Sequence, residues 1–473
     1  MRPEILVTKG PPLRRSLCAA VAVLSVALVP SVHARPARDI AGVAIHPWRM
    51  ENPQILDRTF SDLAAAGVRW ARVDLRWLLI EPQGPALGSG RADWREMDAI
   101  VAAAKRHGVE LLPVVAYVPH WANKERDWWA YPESGPFETF FAAALRRYPH
   151  IWAWELWNEP NFGLFSKPRP DPARFVAFLR SANRVRAQVG SPAKLISGGL
   201  APGQEMDIVE WVDEVARLGG LELIDGLGVH PYSPVSPDDP RAWMMRLEAL
   251  HDRLAYLGRP GLSLWLTEYG APVSAAASGW GPPLTEEEQA KRLRVAFALA
   301  TRLPFVENLT WFEYRDSCRD PSSADCHFGL VRDDLSPRPA LGALGEVTAG
   351  ATARLRPRLS LRSRLTRPRG AWPARRPRGR RSWQRVTIAG RLLLPGSPSP
   401  TGRLSIRVLR AGMTPRAMTV TVRDGAFRGR WRRHGRRRWT IEARYPGSRA
   451  YEPASVRVRM GGAGPRAARR ATK

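Results

Sequence analysis

IWAWELWNEPN (151–161) is the stretch on which the fold turns. Apart from Glu155, every residue from Ile151 to Trp157 is apolar, and Asn158, Glu159 and Pro160 close the run. A short, near-continuous apolar run fits a strand buried on both faces, as in a parallel sheet covered by helices. Seven more runs of this kind flank it: GVAIHP (42–47), VRWARVDLRW (68–77), VELLPVVAYVP (109–119), KLISGGLA (194–201), DGLGVHPY (225–232), LSLWLTEYG (262–270) and LTWFEYRD (309–316). Between them lie stretches with helical spacing of apolar residues, at 93–108, 137–149, 171–190, 205–220, 239–258 and 285–303. Asp93, Asp171, Asp239 and Thr285 stand where a side-chain oxygen can cap the first N–H groups. Gly108, Gly190 and Gly258 stand where a helix can end in a left-handed turn. Eight strands alternating with helices between residues 40 and 350 predict an α/β fold, a (β/α)8 TIM barrel. An open doubly wound sheet would carry a glycine-rich phosphate turn after its first strand, where this chain has His46-Pro47-Trp48.

The chain has 473 residues, more than one barrel uses. At the front, Arg14 and Arg15 precede an apolar run from Leu17 to Val29 and a small-residue site at Val32-His33-Ala34. This predicts a secretory signal over 1–34, cut after Ala34, because the run is shorter than the roughly 20 residues of a membrane span, with a retained N-terminal anchor as the alternative. Its removal leaves Cys318 and Cys326, which in an exported protein suggest one disulfide loop, with two free thiols as the alternative. Two cysteines cannot complete a metal site, and no metal or other cofactor is expected. The formal charge of +29 is unevenly spread: residues 351–473 hold 34 Lys and Arg against 3 Asp and Glu. Residues 351–383, crowded with Arg and Pro, predict a disordered or extended basic linker. Residues 384–460 alternate in short strands and predict a small all-β sandwich, with 461–473 as a disordered tail. ARYPGSRAYEPASVRVRM (443–460) resembles the closing hairpin of bacterial immunoglobulin-like domains. For an exported chain the basic region suits an anionic cell-envelope polymer, and a solvated linker without a partner stays open. A specific nucleic-acid partner is not expected, since few aromatics are interleaved with the arginines.

Catalytic groups of a parallel barrel sit at the C-terminal ends of its strands. Glu159 and Glu268 close the fourth and seventh runs, each after an otherwise apolar stretch. Two carboxylates on separate strands suit the cleavage of an acetal. One protonates the leaving oxygen, while the other attacks the anomeric carbon or activates water. A strand-end glutamate can also merely pair with an arginine, and Arg69, Arg72 and Arg76 are all near in sequence.

WELWNEPN (154–161) and LWLTEYG (264–270) resemble the fourth- and seventh-strand signatures of clan A glycoside hydrolases, the cellulase-like families 5, 39 and relatives. The resemblance spans about residues 40–345. It implies a secreted hydrolase that cleaves O-glycosidic bonds of a poly- or oligosaccharide with retention. By the same resemblance, Glu159 would be the acid/base and Glu268 the nucleophile. Asn158 would bind the sugar 2-hydroxyl, and Arg72 would hold the Glu268 carboxylate. His230 and Tyr232 would line the subsite, Trp311 would form the sugar platform, and His120 and Trp121 would add a rim contact. A non-catalytic carbohydrate-binding or wall-associated barrel is the alternative from another class. A metal-dependent barrel hydrolase would want a His-x-His pair on the first strand, which offers only His46.

Overall fold

The computed structural model describes residues 35–460, except 51, 85–91, 204, 233–239, 277, 279–280, 282, 321, 352–357, 367–382, 394–401, 410–415, 424, 435–438 and 448–452. The signal segment, the C-terminal tail and most of the expected linker lie outside the described residues.

The eight runs form β1 (Ala41–Ile45), β2 (Trp70–Arg76), β3 (Glu110–Ala116), β4 (Ala153–Asn158), β5 (Lys194–Gly199), β6 (Gly226–Gly228), β7 (Ser263–Tyr269) and β8 (Val306–Trp311). Neighbours pair in parallel, and β1 pairs with both β2 and β8, closing a TIM barrel. The last strand starts three residues before the expected run and ends at Trp311. Helices follow the expected stretches, and several ends use the expected chemistry, whereas Trp94 rather than Asp93 holds the N-cap of Arg95–His107 and Asp239 lies outside the described residues. Asp171 accepts from the N–H groups of Ala173 and Arg174, Thr285 and Glu288 form a capping box, and Gly108 and Gly190 end their helices with φ near 70°. Helices Pro53–Ala65 and Pro339–Thr348 were not anticipated. The first had a readable start, since Asn52 accepts from the Ile55 N–H ahead of Pro53.

Trp70, Leu112, Ala153, Ile196 and Trp265 pack together inside the barrel. The Trp70 and Trp265 rings meet edge to face at 5.4 Å. These residues come from the first halves of their strands, so they form an apolar floor below the mouth. Side chains on one face of a strand recur every second residue. Inward positions of β2 therefore climb from Trp70 on the floor to Arg72 and Asp74 in the mouth.

The C-terminal domain is a separate antiparallel sheet of seven strands: β9 (Arg358–Thr366), β10 (Trp383–Leu393), β11 (Gly402–Leu409), β12 (Arg416–Arg423), β13 (Ala426–His434), β14 (Trp439–Tyr445) and β15 (Ala454–Met460). The order is β15-β14-β11-β12-β13-β10-β9. The end strands β9 and β15 approach each other, so the sheet curls over one core that includes Leu361, Ile388, Ile406, Val422 and Ile441. Strand β9 corrects the linker expectation for 358–366. Its Leu359, Leu361 and Leu365 alternate with polar residues and pair along the length of β10. The abundance of arginine hid this two-residue period.

Cys318 and Cys326 are joined in a disulfide. Among the described residues no helix is long and apolar enough to cross a membrane.

Candidate active site

Glu159 and Glu268 meet at the mouth of the barrel, where a carboxylate oxygen of each and a ring nitrogen of His230 all lie within 4.8 Å of one another. Their side chains keep 12% and 13% exposure, enough to be reached from solvent. His230 Nδ1 is 2.8 Å from Glu159 Oε1 and 3.6 Å from Glu268 Oε2. The other ring nitrogen is buried against Gly199, where even a Cβ would come within 2.1 Å of it. Glycine at the end of β5 is thus required for the His230 ring to fit. Nδ1 and Glu159 Oε1 share a hydrogen bond that ties the two side chains together. Burial opposes charge on this ring, but Glu268 and Glu159 outweigh it and raise its pKa.

Arg72 ties Glu268 to Glu155 and Asn158. Its NH1 donates to Glu268 Oε1 at 2.6 Å, its Nε to Glu155 Oε2 at 2.6 Å, and its NH2 to Asn158 Oδ1 at 2.8 Å. Burial disfavours the guanidinium charge, yet the charges of Glu155 and Glu268 raise its pKa further still. Because Arg72 takes the Asn158 oxygen, the amide must turn its Nδ2 donors away from Arg72. Tyr232 Oη donates to Glu268 Oε2 at 3.4 Å. Burial, then the charges of Glu268 and Glu159, hold its pKa well above 10, so it stays a donor.

Backbone irregularities put these groups on one side. Glu155 and Asn158 both reach Arg72, although a spacing of three in a regular strand would point them to opposite faces. Trp157 lies between them with φ 84°, and Glu159 follows with φ 40°. Both are left-handed conformations costly for residues with a Cβ. The buried Trp157 ring pins the switch by donating from Nε1 to the Phe165 carbonyl at 2.7 Å. In β7, the pairing with β8 shifts register between Leu266 and Tyr269, where Glu268 enters the mouth.

Of the expected residues, Arg72, Asn158, Glu159, His230, Tyr232 and Glu268 converge. Trp311 does not serve as expected. It is fully buried at 0% exposure, edge-on to Tyr269, and has no face to offer a sugar. Its half-buried neighbour Phe312 packs edge-on between His46 and Phe328. His120 is exposed, and Trp121 is held against Trp77 and bonded to the Glu81 carbonyl at 2.7 Å. Neither joins the network of the two glutamates among the described residues.

Three features escaped the sequence reading. Glu155 is fully buried and shares Arg72 with Glu268. Tyr117 has a left-handed backbone with φ 57°, and its pKa is raised by burial and by the charge of Asp74. His46 sits between Asp74 (3.2 Å) and Glu313 (2.9 Å), with Trp48 stacked on it at 4.3 Å and 42% exposed. Burial opposes its charge, but hydrogen bonds to both carboxylates win and raise its pKa to about 10.

Two predictions arise here. Arg72→Met leaves Glu155 buried without a cation and should lower stability by about 3 kcal/mol. The low end of the range is expected because Glu155 keeps the Gly199 N–H at 3.1 Å. Denaturant unfolding reads this, and a loss under about 0.5 kcal/mol would contradict the network. The second concerns pH. A raised folded pKa gives stability that is complete below the unfolded value near 6.5 and is lost as pH rises through about 10. His46→Gln should therefore cost about 2 kcal/mol at pH 6 and much less at pH 10. Equal losses at both pH values would mean that His46 is not a cation.

Glu159, His230 and Glu268 are the one cluster among the described residues with spacing suited to a metal ion. The donor set speaks against one: the Arg72 cation already occupies Glu268 at 2.6 Å and repels a second positive charge beside it.

No protein-family model matches the chain. A probable mannan endo-1,4-beta-mannosidase F of Aspergillus flavus is 30% identical over 96 residues, 17% of this chain and 21% of its own length. The chain thus spans about a fifth of the length of the curated relatives that it matches. Among solved structures, a family 39 glycoside hydrolase of Bacteroides cellulosilyticus matches with a TM-score of 0.53 and 19% identity, over 83% of this chain and 81% of that one. The GH39 enzyme of Xanthomonas axonopodis pv. citri gives 0.52 and 13%, over 85% and 94%. GH5_18 of Bifidobacterium longum, in complex with Manβ1-4GlcNAc, gives 0.52 and 14%, over 67% and 81%. At these identities the likeness establishes a shared fold. The neighbours belong to the families that the strand-four and strand-seven motifs resemble.

Proposed function

We propose that the chain is a retaining glycoside hydrolase that acts on a β-linked glycan. The observation that carries this is the short separation of Glu159 and Glu268, within 4.8 Å, across the mouth of the barrel. Retaining enzymes hold their carboxyls about 5–5.5 Å apart, whereas inverting enzymes leave about 6.5–9.5 Å for a water.

In the first step Glu268 attacks the anomeric carbon as the bond to the leaving oxygen breaks, and that oxygen takes the proton of Glu159. In the second, Glu159 takes a proton from water. The water oxygen attacks the same carbon and frees Glu268. Arg72 and Tyr232 steady Glu268, and His230 orients Glu159 by its hydrogen bond. Asn158 turns its Nδ2 donors toward the sugar 2-hydroxyl. Phe312 and the exposed face of Trp48 offer apolar surfaces for sugar rings.

The reading extends to an exported protein, freed of residues 1–34, whose basic C-terminal region meets anionic polymer at the cell envelope. The mannosidase relatives and the Manβ1-4GlcNAc complex make β-1,4-mannosides the first substrates to try. The test is a screen of the full chain on mannan, xylan, cellulose and other glycans, with released reducing ends measured. Release from at least one β-glycan is expected. Sugar binding without release from any of them would favour a non-catalytic barrel.

A further inference from the structure

The outward face of the C-terminal sheet carries a trough lined with arginine. Directly opposed residues of antiparallel strands share a face. On β10, Thr387 lies opposite Arg364 of β9 and Arg430 of β13, and Ala389 lies opposite Arg362 and Arg428. All four arginines are exposed, while the apolar residues between them, such as Val386 and Ile388, point into the core. Two small residues thus form a floor between two columns of guanidinium groups. Strand spacing sets the columns about 10 Å apart, and the two rungs of each column stand about 7 Å apart. Exposed Arg391 stands at one end of the floor. Neither Asp nor Glu occurs in β9, β10 or β13. Four like charges facing one another in pairs repel, and nothing on these three strands neutralises them.

We propose that this trough binds a linear acidic polysaccharide, which lies along β10 with its anionic groups bracketed by Arg362, Arg364, Arg428 and Arg430. Guanidinium forks suit carboxylate and sulfate oxygens, because two parallel N–H groups meet two acceptors. The form of the site favours a chain over a plane. A sheet whose end strands approach each other presents a curved outer face, and a flat bilayer would touch only a strip of it. The choice of polysaccharide over other polyanions rests on the glycosidase reading; the charge geometry does not. Such a trough would hold the barrel at acidic glycan and raise its local concentration there.

The test uses the full chain and linear polygalacturonate as the probe, in 50 mM salt. Binding is compared for three proteins: wild type, the trough variant Arg362→Gln/Arg364→Gln/Arg428→Gln/Arg430→Gln, and the control Arg38→Gln/Arg95→Gln/Arg106→Gln/Arg217→Gln, whose four arginines are exposed on the barrel. The control removes the same charge elsewhere. The trough variant should bind about tenfold or more weaker than the control, with a flatter salt dependence. Equal weakening in both variants would reduce the effect to bulk charge and overturn the proposal. Tighter binding to duplex DNA or to phosphatidylglycerol vesicles than to polygalacturonate would also overturn it by naming another occupant. Glu268→Ala should bind polygalacturonate like wild type, so a failed glycan screen leaves this measurement readable.

Discussion

Glu268→Ala should lower turnover of any glycan substrate by about 10⁴-fold or more, while leaving the fold intact. In the proposed mechanism this carboxylate is the attacking group, and a methyl group cannot form or release the covalent sugar intermediate. The loss should sit in kcat, with KM little changed, because the interaction removed matters in the transition state. Stability should hold better than in Arg72→Met, since Glu155 and Asn158 still engage Arg72. The vacated space at Arg72 can take a small anion such as azide. Azide added to Glu268→Ala should restore turnover and give a glycosyl azide of inverted configuration, because only one displacement then occurs. Wild-type rates in this variant would remove Glu268 from the chemistry.

Glu159→Ala should produce a different pattern. For poor leaving groups such as another sugar, the first step needs a proton, and the rate should fall by about 10⁴-fold, the upper end for a general acid. For a leaving group that departs as a stable anion, such as dinitrophenolate, the first step should remain fast. The second step should then limit, since no base activates water. Azide needs no base, and it should rescue this variant with retained configuration. The contrast between the two azide products separates the two roles. His230 is the group most affected, because it loses its 2.8 Å partner and keeps only Glu268 at 3.6 Å. Equal slowing of sugar and dinitrophenyl substrates would argue against proton donation by Glu159.

Much of this arrangement was legible in the sequence, and the physical reason is burial. A barrel strand covered on both faces must be apolar, so a carboxylate closing such a run, as at 159 and 268, is conspicuous. The floor leaves a weaker trace, since Trp70 and Trp265 look like any other apolar strand residues. The resemblance supplied Arg72 as the partner of Glu268, but Glu155, which shares that arginine, left no trace. Arg72 and Glu155 are 83 residues apart, and sequence spacing does not distinguish Arg72 from Arg69 or Arg76. Strand ends were the other weak point. Alternation fails where Trp157 takes a positive φ, and it gives no guide past Trp311, where the barrel strand stops. The platform was accordingly placed on Trp311, whose ring is buried, beside Phe312, which is partly open. In the C-terminal domain, β9 was hidden by composition: alternating leucines mark a strand, but the arginines between them resemble a disordered basic segment.

The measurement closest to the central claim is the configuration of the first product sugar, followed by proton NMR during the opening minutes of hydrolysis, before the anomers equilibrate. One oxygen of each carboxylate lies within 4.8 Å of the other, a spacing that favours direct attack by Glu268 over attack by an interposed water. The first anomer to appear should therefore have the same configuration as the bond that was cut. A product that first appears with the opposite configuration would contradict attack by Glu268.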